Sequence, residues 1–215
     1  MKKISPLLII CLSLLSCTGY NAANHQTPDA GPDVSTTEYV TRFGKIFIVV
    51  EDHSPGASLV RVKVETRGFT EVNGMVNLGE MDPVEKIFLA DLNRDGFEEL
   101  YLVTRSAGSG SYAFVHGLAS NRDKSATPIH VPELTENDFR RGAFFTGFGG
   151  HNTIDLRDGR LVNSFPVFDD HYRRTGVTRN VFYALVAGEA AWILKPATMK
   201  TINRSNGGGA VMPGR

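Results

Sequence analysis

The sequence predicts an all-β protein: a single antiparallel β-sandwich or barrel-like domain carrying one short helix. Three observations carry that expectation. Short apolar runs alternate with Gly, Asp, Asn and Pro punctuation along most of the chain, and hardly any stretch sustains helical periodicity. "LVRVKVET", residues 59–66, alternates apolar and charged side chains as a strand with one wet face does. "KIFIVVE" (45–51) and "ELYLVTR" (99–105) are apolar nearly throughout, as strands covered on both faces are.

These runs place the candidate strands at 45–51, 59–66, 86–90, 99–105, 112–118, 152–157, 160–167 and 180–187. Many short strands at close spacing favour a sandwich or barrel over a parallel sheet, which needs helical crossovers between strands. The one plausible helix is "ELTENDFRRG". Thr135 stands at the N-cap position with Asp138 three residues on, and Gly142 closes the segment. No internal repeat points to a propeller or solenoid.

The chain opens on "MKKISPLLIICLSLLSC", two lysines followed by an apolar run and a small-residue site ending in cysteine. This reads as an export signal over residues 1–16, too short to remain as a spanning helix. Its end resembles the lipobox of bacterial lipoproteins, which implies cleavage before Cys17 and lipid modification of that residue. Thr18, in place of aspartate, implies outer-membrane retention facing the periplasm. Plain secretion is the alternative. The two cysteines are Cys11 and Cys17, so the body must stand without disulfides. Residues 17–38 are polar and read as a flexible tether, residues 39–201 as the folded body, and residues 202–215 as a disordered tail. Basic and acidic residues balance at 23 each, and loss of Lys2 and Lys3 with the signal leaves the body slightly acidic. That balance gives no footprint for nucleic acid; contact with membrane is expected only through the lipid.

"DLNRDGFEEL" sets Asp91, Asn93, Asp95 and Glu99 at the offsets of a calcium loop, where alternate oxygen ligands face one centre around a glycine turn. An EF-hand is excluded, because Leu102 takes the place of the bidentate glutamate and strands flank the loop. A shorter calcium turn and a plain Asx-rich β-turn remain as readings. The histidines at 25, 53, 116, 130, 151 and 171 lack metal-ligand spacing. Ser109 has Ala107 and Ser111 around it and so is not the serine of a Gly-x-Ser-x-Gly elbow, and "GFGG" lacks the Lys that a phosphate loop requires. Nothing in the sequence demands catalysis, and the chain reads as a non-enzyme without an obligatory cofactor.

One stretch asks for another explanation. "RSAGSGSYAF" sets Ser109, Gly110, Ser111 and Tyr112 between two apolar strands. Gly110 suits the first central position of a two-residue type II′ turn, which would bring Ser109 and Tyr112 together at its ends. A slim tip with neutral hydroxyls can enter a glycosidase cleft, donating to the ionised catalytic carboxylate and accepting from the protonated one. A hairpin turn without a partner explains the same residues.

"SGSY" after a strand resembles the Ser-Gly-x-Tyr element of the bacterial periplasmic inhibitors of invertebrate-type lysozyme. "GFGGHNTIDLRDGRLVNSFPVF", residues 147–168, resembles that family's Gly-x-x-Gly-His segment, strand and Phe-Pro-aromatic run. With "FIVVED" and "DGFEELYLVTRSAGSGSY" the likeness extends over about residues 43–195. The chain departs from the pattern at "DDHYRRTGVTR", where the family runs through an Asn/Pro/Gly-rich stretch. The resemblance implies a β-sandwich that inhibits a lysozyme, probing its cleft with Ser109 and Tyr112 while Gly110 permits the turn and Ser111 accompanies them. In a bacterial envelope that activity would serve evasion of host defence. The competing expectation is a calcium-dependent adhesion or glycan-binding module centred on Asp91, Asn93 and Asp95.

Overall fold

The computed structural model describes residues 33–203. Cys17, the export signal and the tail beyond Asn203 lie outside the described residues. Among the described residues twelve strands form three four-stranded sheets, each with its strands in chain order and every neighbouring pair antiparallel. The first sheet holds β1 (Val34–Val40), β2 (Ile46–Asp52), β3 (Val60–Arg67) and β4 (Gly74–Met81). The second holds β5 (Val84–Ala90), β6 (Glu99–Arg105), β7 (Ala113–Ser120) and β8 (Ala126–Pro128). The third holds β9 (Thr153–Arg157), β10 (Arg160–Phe168), β11 (Arg174–Ala187) and β12 (Trp192–Asn203). The all-β expectation therefore holds, with one layer more than a two-sheet sandwich has.

Side-chain alternation explains the layering. On β6, Leu100 and Leu102 point into a core shared with Phe47, Val49, Val60, Val62 and Val64 of the first sheet. Tyr101 and Val103 point the other way, into a core shared with Ile154, Leu161, Leu185 and Leu194 of the third. The second sheet is thus the middle layer, covered on both faces, which is why "ELYLV" carries no polar alternation. β3 has only one core face, and its burial alternates residue by residue from Val60 to Thr66. A smaller hydrophobic cluster joins Phe145, from the loop of residues 143–151, to Phe165 and Val181 of the third sheet.

The boundaries differ from the sequence reading in places. β1 begins at Val34, inside the stretch expected as tether, and β12 runs to Asn203, past the expected end of the body. The short helix is a single turn, α1 (Glu136–Phe139), entered through Thr135, whose N–H and O–H both donate to Asp138 Oδ2 at 2.7 Å. Among the described residues no helix is long and apolar enough to cross a membrane. The departing stretch "DDHYRRTGVTR" forms the tip of the β10–β11 hairpin at residues 169–173 and the first part of β11. There Asp169 accepts from the N–H groups of His171 and Arg173 and from the Arg173 guanidinium.

Two outcomes follow from the layering. Leu102→Ala leaves a void between the first and middle sheets and is expected to lower stability by about 2–5 kcal/mol in urea unfolding, with the m-value unchanged. The middle and third layers are also tied by an ion pair from Lys86 on β5 to Asp155 on β9. The ammonium hydrogen bond holds the Asp155 carboxyl below its usual range. A carboxyl depressed in the folded state adds stability above its unfolded value, near pH 4, and that stability is lost as pH falls through the folded value. Lys86→Met should therefore lower stability modestly at neutrality, as expected for a part-exposed pair, and flatten the acid limb below about pH 4, so that variant and wild type converge once Asp155 is protonated.

Candidate functional site

The stretch 106–112 closes the β6–β7 hairpin by a geometry other than the expected one. The turn is shifted by one residue: Ser111 N–H donates to the Gly108 carbonyl at 2.9 Å, which puts Ser109 and Gly110 at the centre. Gly110 does not adopt a positive φ; Ser111 does, at 43°. A type II′ turn with Gly110 as its first central residue is thus replaced by a wider loop. Its base is closed by Ser106 N–H to the Tyr112 carbonyl, with Tyr112 N–H donating to Ser106 Oγ. Ser109 stands exposed at the tip.

The loop is held by a neighbour far away in sequence. His151 N–H donates to the Gly110 carbonyl at 2.7 Å. Gly150, at φ +86°, passes so near that a Cβ there would strike the Gly110 carbonyl oxygen and press on the Tyr112 ring. That ring lies across Gly110 in turn, so a side chain on Gly110 would collide with it. Tyr112 is 38 % exposed and packs edge-on against Phe148, with centroids 5.8 Å apart, and alongside Phe114 at 6.5 Å. The four residues "SGSY" and the segment "GFGGH", which lie apart in the chain, thus form one assembly.

A polar clamp completes it. Arg105 Nη1 donates to the Ser111 carbonyl, to Ser111 Oγ and to the Asn152 carbonyl at 3.0–3.1 Å, while Arg105 also pairs with Glu85. Asn152 is 0 % exposed; its amide takes the Ala113 N–H and donates to the Ala113 carbonyl and to Asn163 Oδ1. Ser111 is therefore engaged within the protein, unlike Ser109. Arg105 and Asn152 were not foreseen as site residues. The signal for Arg105 was present, since it ends an otherwise apolar strand where a long cation has no reason to be buried. Below the loop lies a cavity of about 800 Å³, lined mainly by apolar side chains, among them Tyr112, Phe114, Phe139, Phe148 and Tyr183.

The second candidate, the β5–β6 turn, sits at the opposite end of β6. Asp91 Oδ1 and Asn93 Oδ1 both accept from Asp95 N–H, Asp91 Oδ2 accepts from Gly96 N–H, and Asp95 Oδ1 accepts from Phe97 N–H. These are the local Asx bonds of a tight turn. Asp91, Asp95 and Glu99 nevertheless converge, with one carboxylate oxygen of each within 4.8 Å of the others. Burial pushes Glu99 up to about 8, Asp91 and Asp95 add to the rise, and hydrogen bonds from Leu92 N–H and the Tyr101 hydroxyl oppose it.

Comparison of the chain with protein-family models, with curated proteins and with solved structures returns no match. The assembly around the tip makes its own prediction. Asn152→Ala strands the Ala113 N–H and carbonyl in a buried position, an expected loss of about 2–4 kcal/mol. Gly150→Ala adds a backbone clash at a left-handed position and should disorder the tip at a smaller cost in stability. Amide hydrogen exchange at residues 106–112 is expected to accelerate in both variants while the β2–β3 pairing stays protected.

Proposed function

We propose that this protein is an exported inhibitor of lysozyme, directed at the invertebrate type, that blocks the enzyme by inserting the Ser109–Tyr112 tip between its catalytic carboxyls. The observation that carries this reading is the braced loop. Ser109 and Tyr112 are exposed on a tip whose backbone is gripped at Gly110 by His151 and at Ser111 by Arg105. A loop ordered before it meets its partner does not lose that freedom on binding, which favours affinity.

The chemistry of the partner fits the tip. A glycosidase holds one carboxyl protonated and the other ionised, and a hydroxyl satisfies either one, donating to the carboxylate or accepting from the acid. A charged side chain in the same place would itself need desolvation. Ser109 supplies a free hydroxyl, and Tyr112 supplies a second together with an aromatic face. The segments that resemble the family, "SGSY" and "GFGGH", are those the fold places in contact, as a shared binding element requires. Export and lipid attachment at Cys17 would station the inhibitor at the outer membrane, between an external lysozyme and the cell wall.

The purified protein should slow wall lysis by invertebrate-type lysozyme. Ser109→Ala and Tyr112→Phe, which remove one oxygen each, should weaken inhibition by about tenfold apiece, the loss of roughly one hydrogen bond to a charged group, without lowering Tm. Equal inertness of wild type and variants toward invertebrate-, chicken- and goose-type lysozymes would refute the proposal.

A further inference from the structure

The β5–β6 turn gathers several acidic side chains around one point. Asp91, Asp95 and Glu99 present three carboxylate oxygens within 4.8 Å of one another, and Glu98 adds a fourth acid nearby on the same turn. Arg42, half-exposed, pairs with two of these acids, its guanidinium 3.9 Å from Asp91 and 3.8 Å from Glu98, whereas Arg94 within the turn makes no ion pair among the described residues. At those separations Arg42 screens the rim of the cluster and leaves Glu99 alone.

Glu99 supplies an observation independent of the clustering. Its side chain is 0 % exposed. Oε2 accepts from Leu92 N–H at 2.9 Å and from the Tyr101 hydroxyl at 3.2 Å, whereas Oε1 has no hydrogen-bond partner among the described residues. A carboxylate oxygen shut away from both water and donors is costly, and folded proteins rarely retain one without a ligand or a function. Asp91 and Asp95 are already oriented by amide hydrogen bonds that each use only part of a carboxylate's accepting capacity, leaving lone pairs for a further partner.

The geometry points to a calcium ion bound by Asp91, Asp95 and Glu99, with the unpartnered Oε1 of Glu99 as the inner ligand. The donors are oxygen throughout, which selects a hard cation over zinc or copper. Calcium accepts several carboxylates in an adaptable arrangement, whereas magnesium keeps most of its water and demands stricter octahedral placement. Asn93 then acts as a shaping residue rather than a ligand, since its carbonyl oxygen holds Asp95 N–H at 3.0 Å. The ion would fix the start of β6, the strand shared by both cores.

Terbium, which substitutes for calcium, tests this directly on the intact protein because Tyr101 lies beside Glu99 and can sensitise its emission. The expected result is emission saturating at one equivalent, reversed by calcium and much less by equimolar magnesium. Tm should rise by about 5–10 °C at calcium a hundredfold above its Kd relative to chelator. Asp95→Asn, at a partly exposed position where the amide keeps an Oδ1 to accept from Phe97 N–H, should weaken binding at least tenfold, and Glu99→Gln should abolish it. Absence of sensitised emission together with equal Tm in millimolar calcium and in chelator overturns the assignment. So does binding that survives both substitutions unchanged, or terbium displaced equally by magnesium.

Discussion

The fold depends on burying both faces of one short strand. β6 contributes Leu100 and Leu102 to the core beneath the first sheet, and Tyr101 and Val103 to the core beneath the third, all at 0 % exposure. Burying a large apolar side chain contributes roughly 1.5–3 kcal/mol, and here the gain is drawn on opposite faces of the same strand. A slip of one residue in its pairing with β5 or β7 would exchange every side chain between the two cores, so register is fixed from both sides. The outer sheets need only one apolar face each. That division explains why β3 alternates while β6 does not.

A strand held this firmly is a good support for what lies at its ends. The loop after Arg105 would be an ordinary glycine-rich turn if β6 and β7 alone positioned it. It is braced because the chain, just before it enters the third layer at β9, passes it at residues 147–152 and meets it through His151 N–H, the Asn152 amide and the Phe148 ring. Two non-glycine residues in the left-handed region, Ser111 and His151, occur in this assembly. Such conformations persist where surrounding contacts over-determine the backbone, which is the condition a preformed recognition loop must meet.

The sequence made the middle of each sheet legible and its margins much less so. All the central strands were visible as apolar or alternating runs, and 99–105 was placed to the residue. The strands it did not reveal, β1, β4, β8 and β12, are all sheet edges. β1 is exposed almost throughout and shows no period, β4 is interrupted by Gly79 opposite a bulge, β8 has three residues, and β12 contains Pro196 beside a bulge at Phe182/Tyr183. An edge is free to break the strand rules because one side of it pairs with nothing. The same limit applies at the site. Ser109 and Tyr112 are visible as chemistry in a turn, but the turn type is not, because the loop is braced by the hydrogen bond from His151 N–H to the Gly110 carbonyl, whose donor lies beyond β7, β8 and α1 in the chain.

The positions of the two candidate sites on β6 bear on how they relate. Glu99 opens the strand and Arg105 closes it, so at about 3.3 Å per residue the acidic turn and the hydroxyl tip lie roughly 20 Å apart along a rigid element. No side chain spans that distance, and charge at one end is largely screened at the other. Coupling would have to pass through β6 as a change in its position, which the two cores on either side oppose. A cation at the turn, as proposed, would therefore act on how firmly the middle layer is anchored, while the proposed recognition would depend on the two hydroxyls at the far end and on the segment that braces them. Stability and the proposed inhibition should then respond to different residues, even though both candidate sites flank one strand.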